Sequence, residues 1–527
     1  MLIKLGVLNG DNGIDQVARQ LIVRNCLTIL DVDLSEDFAV SVENHAGGFH
    51  LLELRQIVSR SLVSQPRGQG GKKSRHCNQG DHDYDCGQIK SGLRVPGPAV
   101  TVRRRRHQKR DGHAGTGKDK STSVGILGAI QGEIQRRNVI TGDPELIERI
   151  RAEISAQGPR SFARFMEFAL YEPQHGYYSS GRAVIGRRGD FFTNVSVGPL
   201  FGQLLAWQFI EVWEKLGRPQ KFTIVEHGAH EGAFATDVLT AVNRSLPECF
   251  NAIHYVIAEP FSVWRDRQQE KLASFRDKAR WVESINELEP FVGIHFSNEL
   301  FDALPVHLVV SLATKNGAVV WNERLVSMSG NDFELVPAPI PDSHLEIALN
   351  RLPLLPAGVQ TEINLAAPKL VREIATKLAR GVILTIDYGV SRSEFYSPHR
   401  RQGSLQIRSG HRKLSSPFEQ IGQADISTHE EWTSLAEAGQ EAGAVALAFT
   451  DQHHFFTGII SGCRTAQKEF GASSKRALQT LLHPELLGRN FQVLALAKNF
   501  PESLSGFRFA RDVRGELGME VERSRPS

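Results

Sequence analysis

Cysteine is scarce in this chain of 527 residues. The five, Cys26, Cys77, Cys86, Cys249 and Cys463, are too few and too irregularly spaced for a disulfide framework, so a reducing compartment is expected. Long apolar runs are absent too, and nothing approaches the roughly 20 residues a bilayer-spanning helix needs. The N-terminus has no charged start followed by an apolar core and a small-residue cleavage site, so export is not expected and a cytoplasmic location is. Net charge is nearly absent at +3, which by itself points to no class of partner. Standard metal spacing is missing as well. His76, Cys77, His82 and Cys86 lie close together in polar low-complexity sequence but match no zinc pattern, and no metal is expected. Finally, no methionine occurs between Met1 and Met166, and nothing repeats internally.

What is present divides near residue 140. Residues 65–123 are rich in Gly, Lys, Arg, Ser and His and hold few large apolar side chains. Such a stretch cannot bury enough surface to offset its ordering entropy, so a disordered tail is expected over 1–140. A translated upstream sequence is the other reading, and it would require a non-standard start codon. The arginines at 103–106 give this tail the one feature that could touch nucleic acid, which is otherwise not expected as a partner. From residue 141 to 499 the texture is that of an ordered enzyme, with 500–527 left as a C-terminal tail. Asp143 and Pro144 open an amphipathic helix, residues 161–170 form a second, and 200–216 a third that is apolar around much of its circumference. Strands at 222–226, 253–258, 293–297, 382–387, 444–448 and 491–497 alternate with helices at 233–242, 261–273, 367–379, 429–441 and 474–482. That alternation predicts an α/β protein with a doubly wound parallel sheet. Hairpin-like strands within 306–365 mark a small inserted subdomain, and 389–427 is rich in turns and charges.

The stretch 222–239, FTIVEHGAHEGAFATDVL, reads as strand, tight nucleotide loop and helix, the opening of a Rossmann-like domain. Its glycines, Gly228 and Gly232, are spaced G-x-x-x-G, and G-x-G-x-x-G would need others. The spacing favours an S-adenosylmethionine loop over a dinucleotide loop, and a nicotinamide enzyme is the more distant reading. Glu226 closes the first strand and Glu259 the next, positions from which acids reach an ammonium or ribose hydroxyls at the strands' carboxyl ends. His230, in the middle of the loop, either crowds such a cofactor or leans outward. In FSNELFDALPVH, residues 296–307, Asn298, Glu299 and Asp302 sit at the crevice edge. Glu299 and Asp302, three apart, can face one way on a helical turn and hold a cationic acceptor, with Asn298 as a helix cap in the alternative reading.

EPQHGYYSS at 172–180, GDFFT at 189–193, VEHGAHEG, IAEP, SNELFDALPVH, TIDYG at 385–389, GSLQIRSGHR…ADIS at 403–427 and HPELLGRNFQVLALAK at 483–498 occur in one order. Together they resemble the MidA-like methyltransferase family, the group that includes the mitochondrial complex I assembly factor 7, over roughly 142–499. The resemblance implies a Rossmann-like class I methyltransferase sheet with an N-terminal helical extension and a small inserted β-containing subdomain. It implies S-adenosyl-L-methionine as cofactor and a protein arginine side chain as acceptor, in a respiratory-complex subunit if the family's role is kept. For a eukaryotic source the location implied is the mitochondrial matrix. Carried over position by position, Gly189, Asp190 and Thr193 would line the cofactor site with Glu226, Gly228, Gly232 and Glu259. Asn298, Glu299 and Asp302 would lie nearest the acceptor, above a floor of Asp387 and Tyr388. The chain departs from the pattern at His227, His230 and Asn194. A catalytically weak assembly chaperone with the same fold is the alternative, made conceivable by His230.

Overall fold

A computed structural model describes residues 39–43, 49–53 and 140–519, except 185, 187–188, 190–192, 341 and 463–471. The chain divides into two units, 1–121 and 122–527. In the first, Ala39–Glu43 and Phe49–Glu53 pair as an antiparallel hairpin. The expected disorder of 1–140, its basic run and its metal candidates otherwise lie outside the described residues.

The second unit is built on a sheet whose strands are β1 (Phe222–His227), β2 (Ile253–Ala258), β3 (Ala279–Val282), β4 (Phe291–Asn298), β9 (Leu378–Val390), β10 (Val445–Asp451) and β11 (Phe491–Lys498). The spatial order is 3-2-1-4-9-11-10. All neighbours are parallel except β11, which runs antiparallel to both β9 and β10. The order reverses between β1 and β4, the switch point beside which an open α/β sheet forms its crevice. Strands buried on both faces read as unbroken apolar runs. Ile224 therefore packs with helices α3 (Leu200–Lys215) and α4 (Ala233–Ser245), while Val225, one residue on, packs with α6 (Ala366–Lys377) and α7 (Trp432–Glu441).

Two glycines let the central strands come together. A methyl group on Gly293 would lie 1.9 Å from the Thr223 carbonyl oxygen, and one on Gly381 the same distance from the Gly293 carbonyl oxygen.

The N-terminal extension supplies α1 (Pro144–Gln157) and α2 (Phe162–Tyr171). The Asp143 carboxylate accepts from the amides of Glu145 and Leu146 at 3.1 and 3.3 Å, with Pro144 in the first turn, as the sequence suggests. Apolar positions of α2 at Phe162, Phe165, Met166, Ala169 and Leu170 recur at helical spacing and are buried. They pack under the inserted antiparallel sheet of β5 (His307–Ala313), β6 (Val319–Ser329), β7 (Asp332–Ala338) and β8 (Gln360–Ile363), in the order 7-6-5-8. The turn-rich segment folds as a three-stranded sheet of Gln406–Ser409, Arg412–Lys413 and Asp425–Ser427.

Two sequence expectations change. Residues 500–519 are no free tail: Phe500, Leu504 and Phe507 are buried in the core, and Leu517 is buried among the residues of α6 and α7. Their apolar residues lack any periodicity, so the sequence carries no signal for this packing. Helix α8 (Gln452–Gly462), behind β10, was likewise not expected. No described helix is long and apolar enough to cross a membrane.

Gly293→Ala should lower unfolding free energy by about 3 kcal/mol or more, because backbone must move to admit the methyl. Gly317→Ala, also at positive φ but with nothing within 4 Å of the added carbon, should cost only about 1–2 kcal/mol. Urea midpoints of the two variants check the difference.

Candidate functional site

A cavity of about 1230 Å³ opens at the carboxyl ends of β1, β2 and β4. Among its lining residues are Glu226, Gly228, His230, Glu259, Glu299 and Asp302. Sheet geometry brings these residues together from three separate stretches of sequence.

The β1–α4 loop needs left-handed backbone at three positions: Gly228 (φ 76°), His230 (φ 47°) and Gly232 (φ 77°). Glycine meets that demand freely, and histidine is one of the few side-chain residues that tolerates it. Gly228 lines the cavity, whereas Gly232 caps α4, its amide bonded to the Ala229 carbonyl at 2.8 Å. The ring of His230 lies 4.5 Å from that of Trp264 and its Nε2 is 3.5 Å from the Ala183 carbonyl oxygen. His230 is thus a packed element of the cavity wall. Burial holds its ring below the ordinary histidine range.

Glu226 and Glu259 are both buried, at 4% and 5% exposure. The Tyr255 hydroxyl, one strand over, donates to Glu226 at 2.7 Å. Burial pushes the Glu226 carboxyl up to about 8, against the pull of that hydroxyl. Glu259 rises to about 7 by burial, opposed by the Phe261 amide at 3.1 Å and the Gln268 amide at 3.2 Å. Gln268, fully buried on α5 (Ser262–Lys271), also donates to the His230 carbonyl at 2.7 Å and accepts from Trp281 Nε1 at 2.9 Å. One amide thus ties the loop to the acid of the next strand. The sequence gives no hint of it, because Gln268 sits in a polar helical run without pattern.

The turn after β4 differs from expectation. Residues 299–304 are not helical, and Glu299 itself has φ 51°. Asn298 does not cap them. Asp387 does, from the end of β9: its Oδ2 accepts from the amides of Leu300, Phe301 and Asp302 at 2.9–3.3 Å, and its Oδ1 from the Tyr388 amide at 2.8 Å. Asn298 instead donates to Glu299 Oε1 at 2.8 Å and accepts from the Asn194 side chain at 3.0 Å. Asn194 also donates its backbone amide to Glu299 at 3.3 Å, a contact any residue there could make, while its side chain braces Asn298. Burial raises Glu299 to about 8. Asp302 rises well above the carboxylate range through burial, with the charges of Asp387 and Asp425 adding to it.

Of the remaining expected residues, Thr193 and Tyr388 line the cavity. Asp387 lies fully buried beneath the turn it holds. Gly189 is buried in a turn closed by its amide on the Gly186 carbonyl and is not among the lining residues, and Asp190 lies outside the described residues. The sequence reading missed Gln268 and Trp264, and it also missed Asp425 and Thr428, which come to the cavity from the turn-rich segment. Among the described residues no group of side chains suits a metal ion. A cavity walled by hydroxyl-accepting acids, a glycine loop and apolar surface fits a nucleoside carrying an amino acid.

A family model for S-adenosyl-L-methionine-dependent methyltransferases matches residues 204–450. The chain is 30% identical to a Burkholderia thailandensis protein of the COG1565 superfamily, solved bound to S-adenosyl-homocysteine. Their TM-score is 0.63, and the match covers 71% of this chain and 98% of that one. Among curated proteins, it is 25% identical to the mitochondrial protein arginine methyltransferase NDUFAF7 homolog of Drosophila melanogaster, across 68% of this chain and 85% of that one. It is 24% identical to the mitochondrial protein arginine methyltransferase NDUFAF7 of Homo sapiens, across 70% and 86%.

Two outcomes are expected. Glu226, at about 8 when folded against an ordinary 4.5, stabilises the protein fully below 4.5, and that contribution is lost as pH rises through 8. Glu226→Gln should therefore flatten the fall of Tm between pH 5 and 8, measured without cofactor. Gln268→Leu should weaken S-adenosylhomocysteine binding about tenfold by calorimetry, since it frees the loop carbonyl and Glu259 together.

Proposed function

The chain belongs to the S-adenosyl-L-methionine-dependent methyltransferase family, and from that premise we propose that it methylates an arginine side chain of a protein substrate. The observation that carries this reading is the pair Glu299 and Asp302, two half-buried carboxyls lining the same cavity as the buried cofactor-side acids Glu226 and Glu259. A guanidinium is always protonated in water and offers only donors, so an acceptor site for it needs carboxylates. The names of the curated relatives, protein arginine methyltransferases, support the same acceptor. Their names place them in mitochondria, which supports a mitochondrial setting where the source is eukaryotic; the matrix, and the cytoplasm for any other source, rest on the family resemblance and the sequence alone. A respiratory-complex subunit as the acceptor protein rests on the family resemblance alone.

In this reading Gly228 and the loop amides, Glu226, Glu259 and Thr193 hold the cofactor. The cofactor supplies a methyl carbon bonded to a sulfonium: the new C–N bond forms as the C–S bond breaks, and its electrons stay on sulfur. Glu299, fixed by Asn298 and Asn194, accepts a hydrogen bond from the attacking nitrogen, localises its lone pair and takes up the departing proton. Asp302 holds another N–H of the same group. With its carboxyl near 8, Glu299 is mostly protonated at neutral pH until the cation arrives, and it can return a proton to water afterwards. The assembly-chaperone reading loses support, because His230 packs on Trp264 in the wall of a large cavity.

Heavy-methyl transfer from S-adenosylmethionine to extract protein, followed by hydrolysis and quantification of methylarginine, tests this. Glu299→Gln should lower kcat by about 10²-fold or more with cofactor affinity kept. Because the carboxylate is the active form, wild-type kcat/KM should rise with pH through a midpoint near 8 and level off above it. Methylarginine formed by Glu299→Gln at the wild-type rate would remove Glu299 from the chemistry.

A further inference from the structure

We propose that Asp302, Asp425 and Thr428, with the stacked rings of Tyr171 and Tyr178, form the subsite that selects a planar guanidinium over an ammonium. The proposal rests on the arginine reading above, shares Asp302 with it, and extends it to four residues that reading does not use. All five line the one cavity, yet they come from the end of α2, the turn after it, the turn after β4, and the small sheet with the residue that follows it.

The rings of Tyr171 and Tyr178 are nearly parallel, 18° apart with centroids at 5.8 Å, and Phe261 continues the stack at 6.5 Å from Tyr171. The Tyr171 hydroxyl is spent on the Ala303 carbonyl at 2.9 Å, which fixes the ring beside the acceptor turn. The Tyr178 hydroxyl donates to Asp425 at 2.7 Å and so anchors that carboxyl at the rim of the aromatic wall. A guanidinium lies flat on such a wall and keeps its N–H groups in plane for carboxylates at the edge, which a tetrahedral ammonium cannot do.

Asp302 and Thr428 present acceptors beside the wall, and Arg408, opposite Asp425 in the small sheet, lines the same cavity. The Asp302 carboxyl has no hydrogen-bond donor among the described residues, while its own carbonyl accepts from the Thr428 amide at 2.9 Å. Thr428 is only 3% exposed, and its Oγ1 is buried without a partner among the described residues. A buried hydroxyl left unpaired is costly, and a ligand rich in N–H donors removes that cost. Guanidinium carries five donors and no acceptor, so two carboxyls and a hydroxyl oxygen suit it.

Binding of Nα-acetyl-arginine amide and Nα-acetyl-lysine amide to the full chain, saturated with S-adenosylhomocysteine, separates the outcomes. The arginine probe should bind about tenfold or more tightly than the lysine probe. Asp425→Asn should reduce arginine-probe affinity about tenfold, while S-adenosylhomocysteine affinity, which reports a folded crevice, stays within about twofold. Thr428→Val should lower arginine-probe affinity several-fold and serves where Asp425→Asn does not fold. Equal affinity for the two probes, or arginine affinity unchanged in both folded variants, overturns the subsite. Methylarginine made by Asp425→Asn at wild-type kcat/KM also overturns it and leaves the arginine reading standing. Heavy methyl recovered only on other side chains ends the arginine reading itself.

Discussion

Carboxyl groups taken out of water at the ends of parallel strands are what the rest of this structure serves. Glu226, Glu259 and Glu299 each close or follow a strand, and burial raises every one of them into the range 7 to 8. An acid in that state costs the fold something as pH rises, and it is of use only to a ligand that brings donors or positive charge. A sulfonium amino acid and a guanidinium both do. The strand order makes the arrangement possible: reversal between β1 and β4 opens the crevice, Gly293 lets those two strands approach, and Gly381 lets β9 approach β4.

Other parts of the chain hold this edge still. Asp387, accepting four backbone amides, clamps the turn that carries Glu299 and Asp302, as a helix N-cap would without a helix. Gln268 links the cofactor loop to Glu259. Trp264 carries the ring of His230 on one side and donates to the Tyr178 carbonyl at 2.7 Å, so the loop and the aromatic wall meet at one indole. Helix α2 and the three-stranded sheet then wall the crevice that the central sheet opens.

Much of this was legible in residues 222–239 and in the alternation that follows them. An unbroken apolar strand, an acid, and glycines at positions of positive φ are local facts that sequence records directly. The strand-end acids were legible for the same reason. What escaped depended on contacts distant in sequence. Asp387 reads as the end of a strand, and only the fold shows that the amides it holds are 85–87 residues away. Glu299 and Asp302 have helical spacing but sit on a non-helical turn, because Glu299 takes left-handed backbone that spacing cannot reveal. Asp425 and Thr428 lie in a stretch whose turns and charges look like loop, and 500–519 pack by isolated apolar residues. His230 carried the sharpest doubt, and its answer lay in Trp264, 34 positions on, where no spacing rule reaches.

The most direct test of the central claim is calorimetry of S-adenosylmethionine binding at pH 7, repeated in phosphate and in Tris, buffers of very different ionisation heat. Carboxyls held protonated by burial must release protons when donors and a positive charge arrive, so the observed enthalpies should differ in the sense of net proton release. Equal enthalpies in the two buffers, or a difference in the sense of uptake, would contradict the account.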